Sequence, residues 1–97
     1  MRSPTGSGRS KQLMWVEFLG IPRQRVGVAE VEIEAETLGQ ALGALATRFP
    51  AFGELLADGR LHPSIAANLN GDAFVSDPAT RLAAGDRLLI LSADAGG

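Results

Sequence analysis

The C-terminal end of the chain carries the residues whose types and spacing could do chemistry. Its last residues are Ala95, Gly96 and Gly97, so the tail is small and ends in a carboxylate. Glycine has no Cβ and adopts almost any φ and ψ, which lets a Gly-Gly end enter a narrow slot and bring its backbone against another surface. Residues 88–91 form an apolar run, typical of a buried strand, just before the tail. We therefore expect an anchored strand with a free tip; a frayed terminus without a role is the alternative.

Two further groups of side chains could in principle do chemistry. Glu30, Glu32 and Glu34 alternate with apolar residues and have no histidine nearby, which favours a solvated strand face over a metal site. His62 is the only histidine, a pattern more typical of a surface residue than of a catalyst. The chain has no cysteine, which excludes disulfides, thiolate metal sites and cysteine nucleophiles and suits a reducing cytoplasm.

Length and charge restrict the class of protein. A chain of 97 residues forms one compact domain. The sequence after residue 16 has six basic and eleven acidic side chains, a balance of −5, which argues against nucleic acid as the partner of the folded part. No apolar run approaches the roughly 20 residues of a membrane span, and residues 1–10 lack the apolar stretch of a secretory signal. We expect a cytoplasmic protein that binds neither nucleic acid nor membrane.

Hydrophobic periodicity predicts the elements that would position the tail. Residues 1–11 show no such pattern, which predicts a disordered extension before a folded domain at residues 12–97. Thr37 and Gln40 have the spacing of a capping box, and Pro50 follows the apolar stripe of the main helix. The predicted elements are, in order, a strand at 13–19, a turn at 20–27, a strand at 28–35, a helix at 37–49, a helical turn at 54–57, and strands at 64–70, 73–75 and 88–91.

This order of elements predicts an α+β fold of the β-grasp, or ubiquitin-like, type. We expect a mixed sheet of four to five strands with one main helix across one face. Because side chains alternate along a strand, Met14, Val16 and Phe18 would pack together under that helix. The other face of the sheet must then meet water or a partner.

The uncovered face is predicted to carry an apolar cluster. Trp15 alternates with the inward-facing residues of the first strand, and Leu89 and Leu91 would lie beside it on the last strand. Phe74, from a short strand, would stand at the edge of this cluster. An exposed apolar patch on a small acidic domain indicates a contact surface. A pairing displaced by one residue would exchange the two faces and is the alternative.

The chain resembles the ThiS/MoaD-type sulfur-carrier proteins, the small prokaryotic relatives of ubiquitin, over residues 13–97. Between helix and third strand, residues 51–63 are more similar to the molybdopterin synthase small subunit than to the shorter thiamine-pathway carriers. Asp94 departs from relatives that have a proline or aromatic residue near the tail. The resemblance depends on the opening strand with Phe18, the turn with Arg23, Thr37-Leu38, Phe49-Pro50, Asn68-Leu69-Asn70-Gly71, Leu82-x-x-Gly85-Asp86 and Ala95-Gly96-Gly97.

This resemblance implies a carrier that is a substrate of other enzymes and is not itself an enzyme. A ubiquitin-activating-type partner would use ATP to adenylate the carboxylate of Gly97, and sulfur delivered as a persulfide would convert it to a thiocarboxylate. Ala95 and Gly96 would thread the partner's active site. A synthase large subunit or an equivalent protein would accept the sulfur. No bound cofactor or metal is implied.

The resemblance also implies residues that bind these partners. Phe74 and Leu91 match positions at which the molybdopterin synthase small subunit presents apolar side chains to partners, and Arg23 matches a basic position near that interface. Leu89 and Trp15 complete the predicted binding set. Three alternatives stay open: a carrier for cysteine or homocysteine, tRNA thiolation or a natural product; a ubiquitin-like modifier joined to lysines through Gly97; and a plain interaction domain.

Overall fold

The computed structural model describes residues 12–93. The predicted extension at residues 1–11 and the tail residues Ala95, Gly96 and Gly97 lie outside this range. Within it, the longest helix has 11 residues, and no helix is long and apolar enough to cross a membrane. The elements are, in order, β1 (Leu13–Phe18), α1 (Ile21–Val26), β2 (Glu30–Glu34), α2 (Leu38–Arg48), α3 (Pro50–Gly53), β3 (Leu56–Ala57), β4 (Arg60–Leu61), β5 (Ile65–Leu69), β6 (Ala73–Val75) and β7 (Arg87–Ser92).

Five of the strands form one mixed sheet in the order β2-β1-β7-β5-β6. The central pair, β1 and β7, is parallel, and the other pairs are antiparallel. The first and last strands of the domain are therefore neighbours, with Val16 opposite Leu88 and Phe18 opposite Ile90. This topology, with α2 packed on the sheet, confirms the predicted β-grasp fold.

The hydrophobic core lies between α2 and one face of this sheet. The inward-facing residues of β1 and β7 are fully buried, which confirms the predicted face assignment and excludes a pairing displaced by one residue. Phe18 also meets the rings of Phe49 and Phe52 edge to face, with centroids 6.2 and 6.1 Å away. The fully or almost fully buried core side chains include Met14, Val16, Phe18, Leu38, Leu42, Leu45, Phe52, Leu88 and Ile90.

Helix α2 begins as the sequence predicts. The hydroxyl of Thr37 accepts a hydrogen bond from the backbone N–H of Gln40 at 3.1 Å. The Gln40 side chain reaches back to the N–H of Glu36 at 2.8 Å, one residue earlier than in a standard capping box. Helix α2 ends at Arg48, before Pro50, as predicted.

The segment predicted as a turn at residues 20–27 is helix α1, so this prediction is wrong. Pro22 lies in the first turn, where a missing N–H costs nothing and the fixed φ suits a helix. Gly27 has a φ of 82° and its N–H donates to the carbonyl of Arg23, which is a glycine C-cap. The Pro and Gly residues that indicated a turn mark the two ends of a short helix instead.

The helical turn predicted at residues 54–57 is also wrong. Pro50 begins helix α3 directly after α2 ends, and the chain then forms the small hairpin of β3 and β4. Asp58 and Gly59 connect these strands with φ values of 55° and 78°, the left-handed pair that a tight hairpin requires. The Asp-Gly dipeptide was the better signal in this segment.

Two of the sequence motifs meet at the start of β7. Asn70 follows β5 with a φ of 58°, and its side chain donates to a carboxylate oxygen of Asp86 at 3.0 Å. The amide oxygen of Asn70 also accepts from the backbone N–H of Arg87 at 2.8 Å. The other carboxylate oxygen of Asp86 accepts from the N–H of Ala83 at 2.8 Å. The separate Asn-Gly and Gly-Asp motifs thus fix where β7 begins.

Candidate partner-binding site

The candidate site is the sheet face that α2 does not cover, together with the end of β7. We call this sheet face the open face. The alternation of side chains puts the predicted residues Trp15, Leu89, Leu91 and Phe74 there, as the sequence indicated. Their role in binding stays a prediction. The open face carries Leu13, Trp15 and Glu17 from β1, Glu30, Glu32 and Glu34 from β2, Arg87, Leu89 and Leu91 from β7, Ala66 and Asn68 from β5, and Phe74 from β6.

Strand register aligns five of these side chains into one row across the sheet. Glu17 is opposite both Glu30 and Leu89, and Asn68 is opposite both Leu89 and Phe74. The row therefore runs from two carboxylates through an apolar residue and an amide to an aromatic ring. With strands about 4.8 Å apart, the row spans roughly 19 Å.

One part of the open face consists of Leu89 and Leu91 on β7, Ala66 and Asn68 on β5 and Phe74 on β6. We call this mostly apolar part the Phe74 side. The Phe74 side chain is 69% exposed, although it stands on a strand of only three residues. Leu89 and Leu91 are half-buried, and Leu91 lies opposite Ala66. Phe74, Leu89, Leu91 and Ala66 are the apolar residues of this side, and Asn68 lies between Leu89 and Phe74.

The opposite side of the open face, which we call the Arg87 side, is organised by one guanidinium group. Arg87 lies over the ring of Trp15, 5.9 Å from its centroid. Its Nη2 atom also lies 3.1 Å from a carboxylate oxygen of Glu30 and 3.5 Å from one of Glu17. Trp15 remains 37% exposed.

The single cluster of Trp15, Leu89 and Leu91 that the sequence predicts is therefore divided. In the parallel pairing of β1 with β7, Trp15 is opposite Arg87 and Leu89 is opposite Glu17. A charged side chain thus lies directly across from Trp15 and another directly across from Leu89. The prediction of one face was correct, but the prediction of one continuous patch was wrong.

Asn68 has an unmet hydrogen-bonding group at the centre of the Phe74 side. Its Oδ1 atom is buried and has no hydrogen-bond partner among residues 12–93. Sequence reasoning used Asn68 only as part of a motif and missed this feature. The alternation of side chains along β5 could have indicated it, because Asn68 is a polar residue on the same sheet face as Ala66.

The end of β7, which carries the tail, is held at two points. Ser92 is 6% exposed, and its hydroxyl accepts a hydrogen bond from the N–H of Ile21 in α1 at 3.1 Å. The N–H of Ala93 donates to the carbonyl of Ser64 at 2.6 Å. Gly20 allows this approach, since a Cβ there would lie 2.8 Å from the Ser92 hydroxyl oxygen. Sequence reasoning missed Ser92, although it continues the inward phase of Leu88 and Ile90.

Two grooves open beside these residues. One of about 400 Å³ lies where the tail leaves the domain, and Ala93, Phe74 and Ala66 contribute to its lining with Arg60 and His62. The other, of about 230 Å³, is lined by Glu17, Phe18, Leu19, Arg23, Ala29 and Leu89. The predicted basic residue Arg23 and Leu89 thus line the same groove, and the role of Arg23 in binding stays a prediction.

The side chains considered for metal or acid–base chemistry have ordinary surroundings. Nδ1 of His62 lies 2.8 Å from the hydroxyl of Ser64, at an exposed position. Glu30, Glu32 and Glu34 are exposed along the edge strand. Within the described range, no group of three or more histidine and carboxylate side chains is arranged to hold a metal ion.

Fold and open face together define a ubiquitin-like β-grasp protein with a partly apolar face beside its C-terminal strand. The model of the ThiS family matches residues 16–97, and the chain belongs to this family of ubiquitin-like sulfur carriers and modifiers. No curated protein sequence matches the chain significantly.

Solved structures of related fold support this assignment. The chain is 28% identical to SAMP1 from Haloferax volcanii, with a TM-score of 0.73 and coverage of 88% of this chain and 99% of that one. It is 27% identical to a chain of the BexX/CysO complex from Amycolatopsis orientalis, with a TM-score of 0.73 and coverage of 87% and 99%. A chain of the complex of subunits 1 and 2 of the molybdopterin-converting factor from Helicobacter pylori is 25% identical, with a TM-score of 0.61 and coverage of 88% and 99%. Two of these three structures are complexes with protein partners.

Proposed function

We propose that the chain is a sulfur carrier that acts through the carboxylate of Gly97. The observation that carries this proposal is a family match that runs to residue 97, the second glycine of the terminal pair. The β-grasp body and the open face support it, because a carrier needs a surface that other proteins recognise. A tail without bulky side chains suits entry into a partner's active site.

The chemistry begins with an unreactive group. A carboxylate is a poor electrophile because its negative charge resists attack. A ubiquitin-activating-type enzyme would let the Gly97 carboxylate attack the α-phosphorus of ATP, releasing pyrophosphate and forming an acyl-adenylate. The terminal sulfur of a persulfide would then attack the carbonyl and expel AMP. A thiol would reduce the resulting acyl disulfide and release the thiocarboxylate.

The described residues contribute binding and positioning to this chemistry. Two hydrogen bonds fix Ser92 and Ala93, so the point from which the tail starts is defined. The four residues after Ala93 can span at most about 14 Å. The partner's active site must therefore come within this distance of Ala93 when the open face is bound. The partner enzyme would therefore be selected both by binding to the open face and by the distance from Ala93 to its active site.

For the protein that accepts the sulfur, we propose the large subunit of molybdopterin synthase. The segment between α2 and β5 supports this choice through its similarity to the small subunit, and the Helicobacter pylori complex shows a related fold bound to its second subunit. Cysteine or homocysteine synthesis, tRNA thiolation and a sulfur-containing natural product are alternative destinations of the same thiocarboxylate.

A second candidate function is protein modification. Its support is the similarity to SAMP1, a small archaeal modifier protein. Activation of Gly97 would be the same, but a lysine amine would attack the acyl-adenylate or a thioester formed from it. The product would be an isopeptide bond to another protein.

One experiment separates these functions. The chain is incubated with its cognate activating enzyme, ATP and a sulfur donor, and its intact mass is measured. A carrier gains the mass difference between sulfur and oxygen at Gly97, whereas a modifier gives conjugates with a lysine-containing protein. A chain that stays unmodified with an active enzyme would contradict both proposals.

Tail variants provide the matched controls. Deletion of Gly97 or the change Gly96→Val should abolish ATP–pyrophosphate exchange, because the first removes the reacting group and the second places a branched side chain in a narrow slot. Neither change should alter the melting temperature, since the buried core is built from residues 14–90. Full exchange by the Gly97-deleted chain would overturn the proposal.

A further inference from the structure

We propose that the C-terminal tail of this chain, residues 94–97, binds to its own domain when no partner is present. The binding site is the groove of about 400 Å³ at the end of β7, which we call the Arg60 groove. The residues that line it include Arg60, His62, Ala66, Phe74, Ser76 and Ala93. The group that is held there is the carboxylate of Gly97, and the group that holds it is the guanidinium of Arg60.

The first observation is the place from which the tail starts. Ala93 lines the Arg60 groove, and its N–H donates to the carbonyl of Ser64 at 2.6 Å. The N–H of Ser64 donates in turn to Nδ1 of His62 at 3.1 Å. These hydrogen bonds join the start of the tail to the turn that carries His62. The four residues after Ala93 span at most about 14 Å, so a tail that starts in the lining of the groove stays within reach of it.

The second observation is the charge of the groove. The chain has a net charge of −2, yet the lining of the Arg60 groove holds an arginine, a histidine and no carboxylate. Nη1 of Arg60 lies 3.5 Å from the carbonyl of Ser76, a long contact, and Arg60 forms no ion pair among residues 12–93. A guanidinium can bind a carboxylate through two parallel N–H bonds. The groove therefore offers a cation to an acidic ligand.

The composition of the tail matches this groove. Its negative groups are the Asp94 side chain and, as in the proposed function, the free carboxylate of Gly97. Asp94 directly follows Ala93, which places its carboxylate near the turn that carries His62. Ala95, Gly96 and Gly97 have no side chain larger than a methyl group, so the backbone can approach the walls of the groove closely. The charge of Asp94, which departs from related carriers, thus complements the charge of the groove.

The contact is weak enough to be reversible. An exposed ion pair contributes little by itself, but a short tether holds the carboxylate near Arg60 at an effective concentration on the order of millimolar. A weak contact therefore suffices in the chain alone, and a protein that binds the tail can displace it. Within the proposed function, the groove would hold the Gly97 carboxylate on the domain until the activating enzyme takes up the tail.

Nuclear magnetic resonance of the full chain, with no enzyme present, tests this inference. At low salt, the heteronuclear NOE of the Gly96 and Gly97 amides should lie well above the negative values of an unattached chain end. Arg60→Gln removes the cation at an exposed position, so the melting temperature should stay the same while the NOE of both glycines falls to those negative values. Salt at about 1 M, where the Debye length is about 3 Å, should have the same effect on the wild-type chain.

Two further variants are the matched controls. Arg81→Gln removes an equally exposed arginine that does not line the groove, and should leave the NOE of the tail unchanged. Arg60→Lys keeps a cation but loses the two parallel donors of the guanidinium, and should retain part of the NOE. Dilution of the wild-type chain should change nothing, because the contact lies within one molecule.

Three results would refute the proposal. The first is a wild-type NOE already at the values of an unattached end, and the second is an NOE that Arg60→Gln leaves unchanged. The third is an NOE that falls on dilution, which would assign the groove to the tail of a second copy. None of these results depends on adenylation, so the sulfur-carrier function is tested separately by the activating enzyme.

Discussion

The Arg87 side and the Phe74 side of the open face share strand β7 but differ in how far their side chains contact one another. On the Arg87 side, one guanidinium stacks on Trp15 and lies against Glu17 and Glu30. On the Phe74 side, Phe74 is 69% exposed and the buried amide oxygen of Asn68 has no hydrogen-bond partner among residues 12–93. We therefore expect a partner protein to cover the Phe74 side and not the Arg87 side.

This difference teaches that exposure alone does not identify a binding surface. Trp15 became a candidate from the sequence because it alternates with the inward-facing residues of β1, and in the structure it is 37% exposed. Its ring face is nonetheless occupied by a cation from the neighbouring strand. Phe74 has no aromatic or cationic partner within the described range, so its ring is free to enter a pocket on another protein.

The largest expected effect tests whether the two faces of the sheet are correctly assigned. Ile90→Asp places an unpaired charge in a fully buried position and should lower the melting temperature steeply, since a loss of about 3–5 kcal/mol is a large part of a total stability of about 5–15 kcal/mol. Leu91→Asp, one residue later, should leave the fold intact and weaken partner binding. Thermal melts of the two variants check this. Equal losses of melting temperature would show that the open face is wrongly assigned.

The next effect compares the two sides directly. Phe74→Ala should weaken binding of the activating enzyme by about 1–3 kcal/mol, because an exposed aromatic anchor at an interface centre commonly contributes this much. Trp15→Ala should weaken binding much less, since its ring already packs under Arg87. Calorimetric titration of both variants gives the comparison. Similar losses would mean that the interface extends across both sides and that the division of the open face has no functional meaning.

The sequence predicts the face assignment because it depends on a period of two. Met14, Val16 and Phe18 alternate with polar or exposed residues, and any sheet that buries the first set exposes Trp15. The start of α2 could likewise be predicted from neighbouring residues, since Thr37 and Gln40 lie within one helical turn. Such features need no knowledge of distant residues.

The features that sequence reasoning missed depend on pairings between distant parts of the chain. That Arg87 stands across from Trp15 follows from the register of β1 with β7, which no local pattern encodes. The unmet oxygen of Asn68 requires knowledge of every neighbour of that atom. The prediction for the segment that forms helix α1 was wrong for another reason. Pro22 and Gly27 suit a tight turn and the two ends of a short helix equally well.

A smaller effect concerns the strand that both sides share. Ser92→Ala removes the hydrogen bond to Ile21 that joins β7 to α1, and should lower the free energy of unfolding by about 1 kcal/mol. Binding should change little, because Ser92 faces the core. The rate of adenylation should fall more than the affinity, since the point from which the tail starts becomes less well fixed. Denaturant unfolding and a comparison of kcat with KM measure these effects. A change in KM alone would assign Ser92 to docking instead.

The smallest expected effect concerns the Arg87 side. It tests whether this side takes no part in partner binding. Arg87→Met keeps much of the side-chain bulk but removes the charge, and should change stability by less than about 1 kcal/mol because both ion pairs are exposed. Trp15 is the only tryptophan, so its fluorescence reports on this side alone. The emission should shift in Arg87→Met, and partner binding should be unchanged.

In the wild-type chain, addition of the activating enzyme should leave the emission nearly constant while binding is complete. A large shift on binding would place the partner over Trp15 and remove the distinction between the two sides.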